Sequence, residues 1–528
     1  MDDQQKPDLP ASYINSYSDT RGQTKAPLPF SSVIIQGLAE QGGLFVPDRL
    51  PHINLDEIVA LAGLPYAERA AQIYYRFGVD FALDETQALM GLAYSGTFSS
   101  PDVAPVVQVA DHTYLLELTH GPTSAFKDLA LQCLPHFFTA AQDKAAGDSK
   151  SGMPLNLILV ATSGDTGSAA LAGFKDREHT ALIVYYPKDG VSEIQMRQMA
   201  TAEGSNLGVV AVNGNFDDCQ NAVKAAFNDA RFASSLADQN VQLSSANSIN
   251  WGRLLPQVVY YVSAYAQLVA QSAITAGDRI DVSVPTGNFG NILAAWYARE
   301  IGTPIDRLYC ASNENHVLTD FLNTGSYDIS DRPFTLTPSP SMDILVSSNL
   351  ERQLFELNGR DPELVKQWMG DLSERKAFHV DKTTFAALRD VFSADWVTNK
   401  ESLETIKEVY ESHRYLLDPH TAVAWKAAMR LRPSSDTPVL IASTAHWAKF
   451  GWDVYRALND IDPGADLPAP VSGLSYTQLL SLIQADYATA PLPMALAGLE
   501  QKPIRFTEEA EGTSTGIEQT ILDWLESS

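Results

Sequence analysis

Cysteine is scarce in this chain, which has only Cys133, Cys219 and Cys310 among its 528 residues. They lie far apart, are odd in number and form no Cys-x-x-Cys pair, which argues against a disulfide framework and a structural zinc site. No apolar run is long enough to span a membrane, and the first residues are polar and acidic, unlike a secretory signal. We therefore expect no metal, no membrane association and a cytoplasmic location.

Positive charge is also scarce, with 37 Lys and Arg against 64 Asp and Glu and a formal net charge of -27. A field of this sign repels nucleic acid and anionic membranes, so we expect neither as a partner. If the substrate is an anion, the few cations near the site must be concentrated there.

The length is too great for one hydrophobic core, and the pattern changes along the chain. The first hundred residues contain helical patches, LDEIVALAGL and DETQALMGLAY. From residue 155, short apolar runs alternate with helical patterns, which is typical of parallel strands buried on both faces. These runs are LNLILVAT, ALIVYYP, LGVVAVNG, RIDVSVPTG, RLYCAS and PVLIAST. They cluster in 155–215 and 280–445, so we expect an α/β protein of two lobes with a cleft.

Two glycine-rich loops each join a predicted strand to a predicted helix. In LVATSGDTGSAALAGF (159–174), glycines, hydroxyls and a helix predicted to begin near Ser168 would bind an anion, although an ordinary turn is the alternative. The second loop lies in DVSVPTGNFGNILAAW (281–296) and does not match the dinucleotide pattern G-x-G-x-x-G. A single phosphate on the amides of residues 287 to 291 fits it better.

A third polar stretch, LSSANSINWGRLLPQ (243–257), places Ser248 and Arg253 beside Asn250. Clusters of this kind more often cap helices and form turns than bind ligands. The planar guanidinium of Arg253, however, suits bidentate contact with phosphate or carboxylate.

One lysine stands at a conspicuous position in HGPTSAFKDLALQ (120–132), between a Gly-Pro turn and a run of helix formers. Burial and a helix N-terminus both favour the uncharged form of Lys127, as covalent chemistry requires. Pro135 predicts that the helix beginning at Lys127 kinks or ends early. We further expect 325–345 to be an ordered loop and GIEQTILDWLESS to form an amphipathic C-terminal helix. GTSTG (512–516) matches a serine-nucleophile pattern by accident, because no histidine follows it.

Together these segments resemble threonine synthases, which are fold-type II pyridoxal-phosphate enzymes of the tryptophan synthase β-like fold. The resemblance is closest to the longer form found in fungi and some bacteria, and it covers residues 17 to about 450 in the family's order. It is carried by YSDTRGQ, GLAEQGGLFVP, HGPTSAFKD, ATSGDTG, NGNFDDCQ, SSANSINWGRLLPQ, PTGNFGN, DPHTAVA and STAHWAKF.

The resemblance implies pyridoxal 5'-phosphate as the cofactor, with Lys127 forming the internal Schiff base and then acting as general base. The loop around the cofactor phosphate would consist of Gly287, Asn288, Phe289, Gly290 and Asn291. Thr444, or Ser443 as its neighbour, would face the pyridine nitrogen as a neutral partner.

The resemblance also implies a carbon–oxygen lyase that converts O-phospho-L-homoserine and water into L-threonine and phosphate. The substrate carboxylate would lie on the loop formed by Thr162, Ser163, Gly164, Asp165 and Thr166. The substrate phosphate would contact Ser248, Asn250, Arg253 and Lys449. An ionised Asp165 could not donate a hydrogen bond to the cofactor's phenolate oxygen. Either the backbone or another asparagine serves there, or Asp165 is protonated.

The implied organisation has an N-terminal domain (1–100), a large cofactor-binding domain (101–154 and 241–455), a small domain (155–240) and a C-terminal extension (456–528). We expect a monomer or homodimer. Rival interpretations are a serine/threonine dehydratase or phospho-lyase on the same scaffold, and a non-catalytic metabolite-binding protein. Lys127 argues against the last, because a binding protein needs no Schiff-base lysine.

Overall fold

The computed structural model describes residues 13–39, 42–147, 153–487 and 492–527. The remaining residues of the predicted N-terminal domain and C-terminal extension, 1–12 and 528 among them, lie outside the described ranges. Within the described residues, no helix is both long enough and apolar enough to cross a bilayer.

The strands, numbered in chain order, are mostly three to eight residues long. They are β1 (Tyr17–Asp19), β2 (Phe45–Pro47), β3 (Val106–Ala110), β4 (Thr113–Glu117), β5 (Leu155–Ala161), β6 (Thr180–Pro187), β7 (Leu207–Asn213), β8 (Val241–Ser245), β9 (Ile280–Pro285), β10 (Ile305–Ser312), β11 (Ser326–Asp328), β12 (Ala377–His379), β13 (Phe392–Trp396), β14 (Val439–Ser443) and β15 (Glu508–Glu511).

The helices surround the sheets and connect their strands. They are α1 (Phe30–Gln36), α2 (Leu55–Ala60), α3 (Tyr66–Arg76), α4 (Leu83–Tyr94), α5 (Lys127–Leu131), α6 (Leu134–Ala146), α7 (Asp165–Phe174), α8 (Glu193–Ala200), α9 (Phe216–Asn228), α10 (Ala230–Ala237), α11 (Trp251–Ala270), α12 (Gly290–Glu300), α13 (Val317–Thr324), α14 (Leu350–Leu357), α15 (Pro362–Arg375), α16 (Lys382–Val391), α17 (Asn399–His413), α18 (Pro419–Leu431), α19 (Gly451–Leu458), α20 (Tyr476–Asp486), α21 (Met494–Ala497) and α22 (Ser514–Ser527).

Two sheets form the predicted pair of α/β lobes. The larger has the order β13-β10-β9-β14-β4-β3 and is parallel except for β3, while the smaller has the order β15-β7-β6-β5-β8 and is wholly parallel. All six apolar runs are strands, as predicted. They are buried because helices cover both faces of a parallel sheet.

The long helix α11 connects the two strand clusters in the chain, and its first eighteen residues are buried. Both helical patches of the first hundred residues are confirmed as α2 and α4. The helix beginning at Lys127 ends at Leu131, and a new helix, α6, starts at Leu134 with Pro135 in its first turn. This is the early end that Pro135 predicts, because proline has no amide hydrogen to continue the ladder.

The C-terminal stretch divides between the lobes, whereas the sequence suggested one separate extension. Helices α19 and α20 pack into the large lobe, whereas β15 pairs in parallel with β7 of the small lobe. The predicted amphipathic helix is confirmed as α22, which buries Ile517 and Ile521 in the core of the small lobe. The extension therefore completes the small sheet.

Candidate active site

Lys127 lies at the first residue of α5, next to the carboxyl ends of β4 and β14. The preceding turn is built around Asp128, whose carboxylate accepts hydrogen bonds from the amide (2.8 Å) and hydroxyl (2.6 Å) of Thr123. Gly121 is required there, because a Cβ at this position would lie 2.4 Å from Asp128 Cβ. The turn therefore fixes the backbone position from which the Lys127 side chain extends.

The surroundings of Lys127 favour its neutral amine. Burial is the main cause that lowers the pKa of Lys127 to about 8, the nearby cations Arg253 and Lys449 lower it further, and Asp165 opposes them. The Nζ lies 3.5 Å from the hydroxyl of Ser341. Near neutral pH a minority of Lys127 side chains therefore carry an uncharged amine, which is the nucleophilic form.

The loop from Gly287 to Asn291 is an array of unpaired amides at the N-terminus of α12. Within the described ranges, the amides of residues 287 to 292 have no hydrogen-bond acceptor, and the buried Nδ2 of Asn291 also lacks one. Phe289 turns the chain through the left-handed region (φ 61°). Free amides at the positive end of a helix dipole form an anion site of the size of a phosphate.

Close packing explains the first glycine of this loop. A Cβ on Gly287 would lie 2.6 Å from the carbonyl oxygen of Ser341, which is too close for two non-bonded atoms. The segment containing Ser341 therefore lies directly against the amide array, and residue 287 has no room for a side chain.

The loop from Thr162 to Thr166 has a different internal structure. The hydroxyl of Thr162 accepts hydrogen bonds from the amides of Gly164 and Gly167, both at 3.0 Å. Gly164 has φ 121°, and a Cβ there would lie 2.4 Å from Gln195. This turn starts α7 at Asp165, three residues before the predicted start near Ser168, because the Thr162 hydroxyl accepts two of the first amides. The amides of Ser163, Asp165 and Thr166 have no acceptor in the described chain.

Asp165 is held as a buried carboxylate. Its Oδ1 accepts hydrogen bonds from Lys449 Nζ at 2.7 Å and from Gln195 Nε2 at 2.9 Å, and its Oδ2 accepts from Ser341 at 3.2 Å. Burial alone would raise the pKa of Asp165, but Lys449 and Lys127 outweigh burial and hold it well below its usual range. Of the alternatives left open by the sequence, the structure favours an ionised Asp165.

The cations predicted for the substrate phosphate lie in two different settings. Lys449 is fully buried and is used by Asp165 and by the carbonyl of Thr123, at 3.0 Å. The guanidinium of Arg253 is buried, with the residue 3% exposed. Among the described residues it donates only to the carbonyl of Ala246, and its Nε has no partner there. Burial lowers the pKa of Arg253 to about 10, with no carboxylate near it among the described residues. Arg253 is therefore a buried cation without a counter-charge.

The other two residues predicted to contact the substrate phosphate, Asn250 and Ser248, also differ in how far their side chains are already used. Asn250 caps α11 by accepting from the Gly252 amide, and its Nδ2 donates to the carbonyls of Ile34 and Ser245. These bonds give the Asn250 side chain a structural use. Ser248 is half-buried, and its hydroxyl accepts only a 3.4 Å contact from Asn349. Ser248 is thus the freer of the two.

The two candidates for the pyridine nitrogen follow β14. Ser443 Oγ lies 3.4 Å from the hydroxyl of Thr421, whose single hydrogen is donated to Asp418. The hydroxyl of Thr444 has no partner in the part of the chain that the structure describes, while its carbonyl accepts from the Phe126 amide at 2.8 Å. Thr444 is the hydroxyl that remains available to a ligand.

Several protein families and known proteins resemble this chain. Residues 16–94 match the family described as "Threonine synthase N terminus", 101–444 match "Pyridoxal-phosphate dependent enzyme", and 421–521 match "Threonine synthase, C-terminal". Threonine synthase of Pseudomonas aeruginosa is 40% identical over 461 residues, covering 87% of this chain and 93% of that protein.

The chain belongs to the threonine synthase family.

Two further comparisons give the extent of the likeness. A crystal structure of pyridoxal-phosphate-bound threonine synthase from Brucella melitensis superposes with a TM-score of 0.81, at 35% identity, covering 97% of this chain and 99% of that one. Human threonine synthase-like 1 is 44% identical over 438 residues, which are 81% of this chain. The match spans only 58% of the length of that human protein.

As a member of this pyridoxal-phosphate-dependent family, the protein uses pyridoxal 5'-phosphate, and the residues present fit that group. The unpaired amides of 287 to 292 suit its phosphate, and Lys127 at the cleft suits covalent attachment. Among the described residues, no group of three or more His, Cys, Asp or Glu could hold a metal ion.

The sequence reasoning gave no role to four residues of the site. Ser341 contacts Lys127, and His420 and Asp418 hold the Ser341 amide. Asn349 donates to Ser248 and to the Asn288 carbonyl. The segment 325–345 was predicted only as an ordered loop; it contains β11 and a 3-10 turn, Pro340–Met342, and brings Ser341 into the site. Its Pro and Ser content signals a loop but not the neighbours of that loop.

Proposed function

We propose that this protein is a threonine synthase that converts O-phospho-L-homoserine and water into L-threonine and phosphate, the last step of threonine biosynthesis. The observation that carries the proposal is Arg253, a buried guanidinium with no carboxylate partner among the described residues. Burying an unpaired charge is costly, so such a cation calls for an anionic ligand. Family membership supports a pyridoxal-phosphate enzyme, and the phosphate of the substrate gives Arg253 its partner.

In this proposal the cofactor phosphate lies on the amide array, with Asn291 adding its side-chain donor. Backbone donors and a helix dipole hold the dianion without any lysine or arginine in that loop. Thr444 contacts the pyridine nitrogen through a neutral hydroxyl, with Ser443 as the alternative. When bound, pyridoxal phosphate supplies an electron sink for the bonds that break at the substrate's Cα and Cβ.

The substrate carboxylate lies on the unpaired amides of Ser163, Asp165 and Thr166, with Gly164 allowing close approach and Thr162 holding the turn. Its phosphate contacts Arg253 and Ser248. Asn250 positions this pair by capping α11, and Lys449 positions the carboxylate loop through Asp165. Because both substrate anions bind to groups that lack other partners, the site selects an amino acid with a phosphate on its side chain.

Lys127 moves the protons in this proposal. Its lowered pKa leaves an amine that accepts a proton at Cα and, as an ammonium, returns protons on the same face. Phosphate leaves from Cγ and water adds at Cβ, so the same side chain serves more than one carbon. The reaction is that of a carbon–oxygen lyase acting on phosphates.

A direct assay separates the proposal from its rivals. O-Phospho-L-homoserine is incubated with the cofactor-loaded protein, and threonine, phosphate, ammonia and 2-oxobutyrate are measured. Equal amounts of threonine and phosphate support the proposal. Phosphate with ammonia and 2-oxobutyrate in place of threonine indicates a phospho-lyase, and ammonia from L-serine or L-threonine alone indicates a dehydratase. A cytoplasmic location, a monomer or homodimer, and the absence of nucleic-acid and membrane partners stay predictions.

A further inference from the structure

The segment from Thr337 to Asp343 crosses the cleft beside Lys127 and has no assigned role. Its conformation is fixed by Asp343, whose carboxylate accepts from Thr337 at 2.7 Å, from Asn313 at 2.7 Å and from Asn315 at 2.9 Å. A loop held by three side-chain hydrogen bonds to one buried carboxylate presents its middle residues in one arrangement. Ser341 is the residue it presents to the cleft.

The backbone of Ser341 is held on two sides. Its amide donates to His420 Nε2 at 3.2 Å, and His420 Nδ1 is 2.8 Å from the buried carboxylate of Asp418. This arrangement sets the tautomer, because Nε2 can accept only when the ring hydrogen is on Nδ1 toward Asp418. On the other side, the Ser341 carbonyl packs against Gly287.

The side chain of Ser341 joins residues from both lobes. Lys127 Nζ lies 3.5 Å from Ser341 Oγ, which in turn donates to Asp165 Oδ2 at 3.2 Å. Because the hydroxyl hydrogen is directed at the carboxylate, the oxygen lone pairs are left for Lys127. The serine is therefore an acceptor for the lysine whenever the lysine is an ammonium.

We infer that Ser341, oriented by the Asp418–His420 pair, is a positioning residue for Lys127 that links its Nζ to the carboxylate of Asp165. The inference rests on the proposed function for its role in turnover, but the linkage itself concerns only this chain and its cofactor. It explains how an ionised Asp165 can act on Lys127 although its Oδ1 is already used by Lys449 and Gln195.

The inference predicts the direction in which Ser341 shifts the pKa of Lys127. The charged groups that influence it are Asp165, Arg253 and Lys449. A hydroxyl that accepts from the ammonium stabilises the charged form, so it keeps the pKa of Lys127 higher than burial would leave it. Removing this hydroxyl should lower that pKa and increase the neutral fraction at a given pH below it.

The test uses the full-length protein after removal of the cofactor. The rate at which Lys127 is covalently modified by added pyridoxal phosphate is followed between pH 6 and pH 9, with borohydride trapping and mass spectrometry of the peptide containing Lys127. Ser341→Ala should move the midpoint of the rate profile down by about half a pH unit, which is about threefold more neutral amine below the midpoint. A midpoint unchanged or raised in Ser341→Ala overturns the inference.

Two variants keep the result specific. Ser347 follows this segment by four residues and donates to the Gly287 carbonyl at 2.8 Å, so Ser347→Ala removes a neighbouring hydrogen bond of the loop without removing a contact of Lys127. It should leave the midpoint unchanged, and an equal shift in Ser347→Ala would assign the effect to loop disorder. Ser341→Thr keeps the hydroxyl and should restore the wild-type midpoint.

Turnover gives a separate readout. If the proposed function is correct, Ser341→Ala should lower kcat for threonine formation about tenfold with little change in KM, since the residue acts on the lysine and not on substrate binding. If no threonine forms even with the wild-type protein, the proposed function fails while the midpoint measurement still decides the role of Ser341.

Discussion

The two glycine loops of this protein have the same local design but opposite electrostatics. Each joins a buried strand to a helix N-terminus through a turn with positive φ, at Gly164 in one and Phe289 in the other. The first encloses the ionised Asp165, which a lysine of the other lobe neutralises. The second contains no acid and exposes an uninterrupted array of amides.

The difference shows that a strand–glycine–helix pattern does not by itself identify the ligand that its loop binds. An amide array without a charge is a preorganised site for a dianion, whereas a carboxylate in the same place competes with an anionic ligand. If the loop with Asp165 binds a substrate carboxylate, as we propose, Lys449 is needed to offset the charge of Asp165. The loop from Thr162 to Thr166 therefore depends on a contact between lobes, and the loop from Gly287 to Asn291 does not.

The largest expected effect comes from the lysine between the two loops. Lys127→Ala should abolish covalent cofactor attachment and lower turnover by at least about 10³-fold, because nucleophile and base are lost together. Cofactor should still bind non-covalently, since the amide array is intact. Absorbance before and after borohydride, with equilibrium dialysis, measures both. A variant that keeps its borohydride-sensitive band and its turnover contradicts the assignment.

The next effect tests the charge balance of the loop from Thr162 to Thr166. Lys449→Met leaves the Asp165 carboxylate buried and unpaired, which should cost about 3–5 kcal/mol of stability at neutral pH. Asp165 has a depressed pKa when folded, so its stabilising contribution is present above its unfolded pKa and is lost as pH falls. In Lys449→Met the lysine no longer opposes burial, so the pKa of Asp165 rises and protonation relieves the buried charge as pH falls. The difference from wild type should therefore shrink toward pH 4.

Thermal unfolding between pH 4 and pH 8 measures this effect. Lys175→Met is the matched control, because Lys175 and Glu203 form an exposed pair with 43% and 63% of their side chains accessible. Such an exposed pair is screened by solvent and contributes little to stability. The double variant Asp165→Asn with Lys449→Met should recover much of the loss. If Lys449→Met is no less stable than the control, the buried pair of Lys449 and Asp165 does not stabilise the fold as predicted.

A smaller effect is expected at the phosphate of the substrate. Arg253→Ala removes a charge-assisted hydrogen bond worth about 1.5–3 kcal/mol, or about one to two decades in kcat/KM for O-phospho-L-homoserine. Cofactor affinity should change little, because the amide array contains no part of Arg253. Steady-state kinetics and cofactor titration separate the two, and an unchanged kcat/KM would exclude Arg253 from the substrate site.

Most of the elements that position the site could be predicted from sequence. The buried strands β5 and β9 are continuous apolar runs, and glycine turns follow both, so the loops and Lys127 could be found without a structure. β15 could not, because its sequence, EEAE, is acidic and its strand geometry comes from pairing with β7 at the sheet edge. Pairing of this kind depends on tertiary contacts and leaves no periodic signal.

The contacts within the candidate site join residues that lie far apart in the chain. Ser341 is 214 residues from Lys127 and 176 from Asp165 in the chain, so no local pattern could join them. The resemblance implied that Lys449 contacts the substrate phosphate, and in the structure its Nζ lies 2.7 Å from the carboxylate of Asp165. Clusters such as the one around Asn250 more often cap helices than bind ligands, and the Asn250 side chain does cap a helix.

The smallest expected effect concerns movement of the loop from Thr162 to Thr166 relative to the loop from Gly287 to Asn291. In this structure Asp165 already contacts Lys449 and Ser341 across the cleft, and Gln198 donates to the Thr123 carbonyl at 3.2 Å. For the substrate-free protein we predict an equilibrium between this form and a more open form in which these contacts are broken. Binding energy from a substrate that touches both loops would restore them, closing the cleft and excluding bulk water.

Small-angle scattering with and without a phosphonate analogue that cannot eliminate would show this closure. A compact chain of this length has a radius of gyration of about 24 Å, so the lobe movement should change it by only ~1 Å. Lys449→Met should enlarge the difference between the free and bound forms, because it removes the strongest contact between the lobes. Paired crystal structures would locate the movement in the small lobe, with the Gly287–Asn291 loop unchanged. Identical lobe spacing in both states, for wild type and Lys449→Met alike, would show that the two loops form one rigid site.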